Sequence, residues 1–185
     1  SHHAAWCERF AAAASALRLG AGTDPATQMG PLTHAGRLND MQQLTDDALA
    51  HGARLLCGGH RVDRPGYFFA PTVFTDVPST ARLAKEAPFG PIATIEAFDD
   101  LDQAIARAND SAYGRAAYAF TQSLLTAHRL SEELAVGMVG INHFGVSQPE
   151  MPFGGWKESG HGQEMGSEGL LGYTELKTVI VGSPH

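Results

Sequence analysis

Apolar positions along the chain recur at two spacings. From Ala4 to Leu19 they follow a helical period, with Phe10, Ala13, Ala14 and Leu17 on one face. Gly20 to Gly30 is a loop of Gly, Asp, Pro and Thr. Thr33 is a good N-cap for a second helix that stops near Gly52, with Leu38, Met41, Thr45, Ala48 and Leu49 as its buried stripe. Short apolar runs then predict strands at 53–57, closed by Gly58-Gly59, at 68–77, broken by Pro71, and at 92–98. Asp100 with Gln103 three residues on forms a capping-box pattern, and Leu101, Ala104, Ile105 and Ala108 make the buried face of that helix. A strand at 116–120 precedes a helix capped by Thr121 and running to about Leu134. A buried strand at 138–141, a Gly-rich loop from Asn142 to Gly172 and a β-prone run at 178–181 complete the chain. Strands alternating with helices predict an α/β fold: an open, largely parallel sheet with flanking helices.

Composition narrows the function classes. Hydrophobic residues are 43% and charged residues 18% of the 185, enough apolar surface for a packed core. The net charge of -7 argues against a nucleic-acid partner, which needs a basic face. The pattern holds no membrane-spanning apolar run and no signal peptide. Cys7 and Cys57 make neither a disulfide framework nor a CxxC zinc motif, so a reducing, cytoplasmic setting is the expectation. No histidine spacing suggests a metal site, and His2-His3 reads as the remnant of an expression tag.

One ordered series of motifs remains. It comprises Gly30-Pro31-Leu32, Gly66-Tyr67-Phe68 with Pro71-Thr72-Val73, and Glu86 to Pro91 with its Phe-Gly-Pro. Ala108-Asn109, Tyr113-Gly114 and Gly137 to Asn142 follow. Pro152-Phe153-Gly154-Gly155 with Lys157 and Ser159-Gly160, then Tyr173-Thr174 with Lys177, end the series. In this order and spacing the chain resembles the C-terminal part of the aldehyde dehydrogenase catalytic domain, from about Glu8 to Val181, and in its loop it is most similar to semialdehyde dehydrogenases.

That resemblance implies a function and a division of labour. The parent oxidises an aldehyde to a carboxylic acid with NAD or NADP, which is bound mainly by a domain outside this segment. The nucleophilic cysteine and the glutamate base are expected upstream, so the chain alone is expected to be inactive; Cys7 is expected to be a helix residue and Cys57 a buried, inert strand residue. Residues 1–172 would form the partial catalytic domain and 173–185 an oligomerisation strand and tail, in a homo-oligomer (dimer or tetramer). Asn142 matches an amide that helps to stabilise the oxyanion, and Phe153 a tunnel-lining aromatic. Ser147 matches a loop position where semialdehyde dehydrogenases place a hydroxyl for the substrate's far carboxylate, and His143 is a further candidate donor nearby. Phe89 matches the aromatic beside the nicotinamide. The family's ribose-binding glutamate, two residues before that phenylalanine, is here Ala87, leaving Glu86 to serve through a local bulge. The alternative is a non-catalytic truncated relative that acts as a folding or assembly module.

Overall fold

The computed structural model describes residues 2–183. The chain forms two compact units, Ser1–Phe98 and Asp99–His185. The expected boundary at residue 172 falls inside the second unit, and the last two residues of the expected tail lie outside the described range.

In the first unit, helices α1 (His2–Ser15) and α2 (Ala35–Ala50) accompany strands β1 (Arg54–Cys57), β2 (Thr72–Thr75) and β3 (Ile92–Ile95). β2 lies in the middle of the sheet, antiparallel to β1 and parallel to β3. A central strand flanked on both sides is buried throughout, and Thr72, Val73, Phe74 and Thr75 all are. Thr75 escapes the cost of a buried hydroxyl by donating to Ile95 O at 2.7 Å. Met41, Leu44, Ala48, Phe69 and Phe74 form the core. Leu44 takes the inward place expected of Leu49, which is 45% exposed.

His2 and His3 belong to α1, where His3 Nε2 lies 3.1 Å from Thr75 Oγ1 and 3.4 Å from Cys7 Sγ. α2 is capped by His34, not Thr33, its ring Nδ1 accepting from Arg37 N at 3.3 Å. Gly58 follows a register shift between Leu55 and Cys57 with φ +75°, and a Cβ there would run into the Pro71 carbonyl, so only glycine fits.

The second unit holds α3 (Leu101–Asn109), β4 (Tyr113–Gly114), β5 (Ala116–Ala119), α4 (Leu124–Glu133), β6 (Met138–Ile141), β7 (Phe153–Gly154), β8 (Trp156–Lys157) and β9 (Gln163–Glu164). β5 and β6 run parallel across the α4 crossover, the βαβ arrangement that the alternation predicts. β7–β9 is a short antiparallel pair inside the expected loop, and β8 of that loop pairs antiparallel with β4, which precedes it. The β2–β3 and β5–β6 pairs are parallel, as the α/β reading expects, and the remaining pairs are antiparallel. Ile105, Leu130 and Leu134 pack as the core of this unit. Asp100 accepts from Gln103 N at 2.7 Å as the α3 cap. Ser123 caps α4 in place of Thr121, whose hydroxyl instead accepts from Ser123 N. Ala108 is exposed, and Thr178–Val181 forms no strand among the described residues.

Candidate functional site

The turn 86–91 carries the first group. Phe89 sits at φ 46° with its ring 78% exposed. A left-handed phenylalanine is a backbone outlier, and its neighbours hold it there. Arg37 donates from Nη2 to the Pro88 carbonyl, and its guanidinium lies 5.8 Å from the Phe89 ring centroid. Gly90 has no side chain because Met41 Sδ occupies that space. Glu86 faces another way. Its carboxylate accepts from Arg82 Nε and Nη2 at 2.8 and 2.9 Å. That hydrogen-bonded fork holds the Glu86 carboxyl below its ordinary pKa. Two acceptor directions of a carboxylate remain beyond the fork.

The second group lies on the loop after β6. Asn142 has φ 55°, tolerable for asparagine. Its amide bridges the backbone of Thr121, Oδ1 accepting from Thr121 N and Nδ2 donating to Thr121 O, both at 2.8 Å. One Nδ2 hydrogen is left over. His143 is exposed and its Nδ1 accepts from Gly145 N at 2.9 Å. Ser147 is exposed, its hydroxyl 3.9 Å from Met165 Sδ. Phe153 is half-buried in β7, with the Arg115 guanidinium 5.6 Å from its ring centroid. Asn142, His143 and Ser147 therefore share one loop. No hydrogen bond or ring contact joins Phe153 to them among the described residues.

Sequence reasoning did not single out Tyr118, Phe120, Phe144 or Arg115. Tyr118 and Phe120 flank Phe144, at centroid distances of 5.6 and 5.1 Å. Their two-residue spacing, Tyr118 in β5 and Phe120 just past it, was the available signal. Arg115 was overlooked because a lone arginine carries no motif. Neither cysteine is placed as a reactive thiol. Cys7 is 5% exposed within α1, and Cys57 is half-buried in β1, more open than expected, with Sγ 3.6 Å from Pro71 O. Among the described residues no group of three or more His, Cys, Asp or Glu could hold a metal. Among them, too, no helix is long and apolar enough to cross a membrane.

The aldehyde dehydrogenase family model matches residues 1–179. This chain belongs to the aldehyde dehydrogenase family. It is 43% identical over 177 residues to a succinate-semialdehyde dehydrogenase of Paenarthrobacter nicotinovorans, covering 96% of this chain and 39% of that one. It is 47% identical over 170 residues to a putative 4-(hydroxymethyl)benzenesulfonate dehydrogenase of Comamonas testosteroni, covering 92% of this chain and 35% of the relative. The NAD+ complex of an aldehyde dehydrogenase from Bacillus cereus superposes with a TM-score of 0.93 at 38% identity, over 96% of this chain and 36% of that one. The match establishes the α/β aldehyde dehydrogenase architecture, while the chain spans between 35% and 39% of the length of these relatives.

Proposed function

We propose that this segment serves an aldehyde dehydrogenase that oxidises a semialdehyde to a carboxylic acid with NAD or NADP in the cytoplasm. It supplies the nicotinamide-side turn and the substrate loop of that enzyme. The observation that carries the reading is Phe89, an exposed aromatic ring held in a strained turn that fixes its direction. Strain of this kind persists where a rigid presentation is useful, and an exposed flat ring offers a face to a planar ring. The dinucleotide, when bound, accepts the hydride. Phe89 orients its nicotinamide and Glu86 offers its two remaining acceptor directions to the ribose. Phe153, Ser147 and His143 line the substrate side, and residues 173–185 serve subunit association in a homodimer or homotetramer. Asn142 donates its remaining amide hydrogen to the oxyanion; its two bonds to Thr121 favour a second role, as a strap that fixes the loop.

Two measurements test this reading. The chain alone is expected to turn over no aldehyde with either dinucleotide, because its thiols are packed into α1 and β1. Turnover lost on Cys7→Ser would overturn that placement. In an enzyme of the relatives' length that carries this segment, Phe89→Ala is expected to weaken NAD binding about tenfold, the scale of a lost aromatic contact. Unchanged binding in a calorimetric titration would remove Phe89 from the site.

A further inference from the structure

The second unit holds a cavity of about 210 Å³ whose lining is more polar than apolar, formed by Arg115, Phe153 and the turn that carries Gly155, Gly160, His161 and Gly162. Arg115 stands just before β5, and its Nη2 donates to Ser159 O at 2.6 Å. That bond anchors the guanidinium over the Phe153 ring and leaves four of its five N–H groups. No carboxylate pairs with Arg115 among the described residues, whereas Arg129 of the same unit is paired with Asp102 and Glu133. Across the cavity, the backbone N–H groups of Gly160, His161 and Gly162 find no hydrogen-bond partner among the described residues. Gly160 and Gly162 have positive φ, of 129° and 78°, and open space where a Cβ would stand. Successive free amides in such a turn form a concavity that favours an anion. Glu164 also lines the cavity and opposes one.

We infer that this cavity binds the oxyanion group, carboxylate or sulfonate, at the far end of the aldehyde substrate, with Arg115 as its specificity-determining residue. The inference rests on the proposed reading of Phe153 as a wall of the substrate site. A planar guanidinium set over that wall pairs with a planar carboxylate in two parallel hydrogen bonds, and the amides of the turn take up the remaining lone pairs. Two relatives are named for substrates with such an end, succinate semialdehyde and 4-(hydroxymethyl)benzenesulfonate. In this chain the position of Arg115 offers a counter-charge apart from Ser147.

The test titrates the chain with succinate, benzenesulfonate and inorganic sulfate and follows the Gly160, His161 and Gly162 amide resonances. Succinate and benzenesulfonate are expected to shift these amides. Arg115→Met should weaken both about tenfold, the scale of one charge-assisted bond, with resonances distant from the cavity unchanged. Glu164→Gln should tighten both. Shifts produced by sulfate as readily as by the organic anions would identify a general anion site and overturn the assignment to substrate. Absence of shifts with all three would overturn the site itself. In an enzyme of the relatives' length, Arg115→Met should reduce kcat/KM for anionic aldehydes about tenfold and leave neutral aldehydes unchanged. An equal effect on both would overturn the inference while aldehyde oxidation stands. An enzyme that oxidises no aldehyde would instead remove the proposed function and leave the anion titration as it was found.

Discussion

Phe89 and Asn142 both hold left-handed backbone torsions, at 46° and 55°, and neither is glycine. Each carries a local strain of roughly 1 kcal/mol or more, offset by neighbouring contacts: Arg37 for Phe89, the Thr121 backbone for Asn142. Two substitutions separate geometry from chemistry here. In an enzyme of the relatives' length, Asn142→Ala should lower kcat more than it raises KM, by about 3 kcal/mol if the oxyanion loses its donor. If the strap to Thr121 is the larger role, the same change lowers the urea midpoint and alters kcat and KM together. Ala87→Glu should tighten NAD binding, because Arg82 already engages the Glu86 carboxylate and a second carboxylate at 87 has no such claimant. A charge-assisted bond to a ribose hydroxyl is worth roughly 1.5–3 kcal/mol. An unchanged dissociation constant would mean that Glu86 fills the role through its free acceptor directions.

At the scale of elements, Asn109 ends α3 and does the work of a joint. Its Nδ2 donates to Glu133 O and its Oδ1 accepts from Ala135 N, both at 2.7 Å. It thereby ties the end of α3 to the end of α4. Asn109→Ala strands the half-buried Ala135 N–H and should cost about 1–3 kcal/mol, read as a lower thermal midpoint of the second unit. No change in the midpoint would show that water replaces the amide at no cost. The sequence motif marked Asn109 without disclosing this role, since its partners lie 24 and 26 residues away. Periodicity and apolar runs located α2, α3, α4, β3, β5 and β6, because each buries one face or sits in a parallel pair, and a short apolar run closed by Gly58-Gly59 located β1. Helix starts were less legible. A histidine ring nitrogen caps α2 where threonine was expected, and Thr121 spends its hydroxyl on a turn one step before the Ser123 cap. The small antiparallel pairs of the 142–172 loop have strands of two residues, too short to leave a two-residue alternation. Of the candidate site, motif order picked out Phe89, Asn142 and Phe153. Arg115 became visible only when β5 and the glycine turn were placed side by side.

At the scale of the molecule, apolar surface is left bare in two places. In the first unit, Phe10, Ala13 and Ala14 of α1, with Leu17 just beyond it, line a groove of about 360 Å³ together with Pro71, Ile92 and their neighbours. This is the apolar face that the helical spacing picks out, and Phe10 on it is 41% exposed. In the second unit, Tyr173, Leu176, Val179, Ile180 and Val181 are between 70% and 104% exposed. The β-prone run 178–181 has no strand partner among the described residues. A row of β-branched side chains beside unpaired backbone donors and acceptors is a template for pairing with another chain. Several large apolar side chains exposed in one short run favour association over solvation. The chain alone is therefore expected to self-associate, with a weight-average mass that rises with concentration in light scattering. Val179→Asp combined with Val181→Asp places like charges on one face of that run. The pair should shift the distribution towards monomer, because each added strand would bring further carboxylates into register. A chain that scatters as a clean monomer at high concentration would show that residues 173–183 do not serve association. Association that persists unchanged in the double variant would move the contact to the α1 groove, where Phe10→Ser is expected to abolish it.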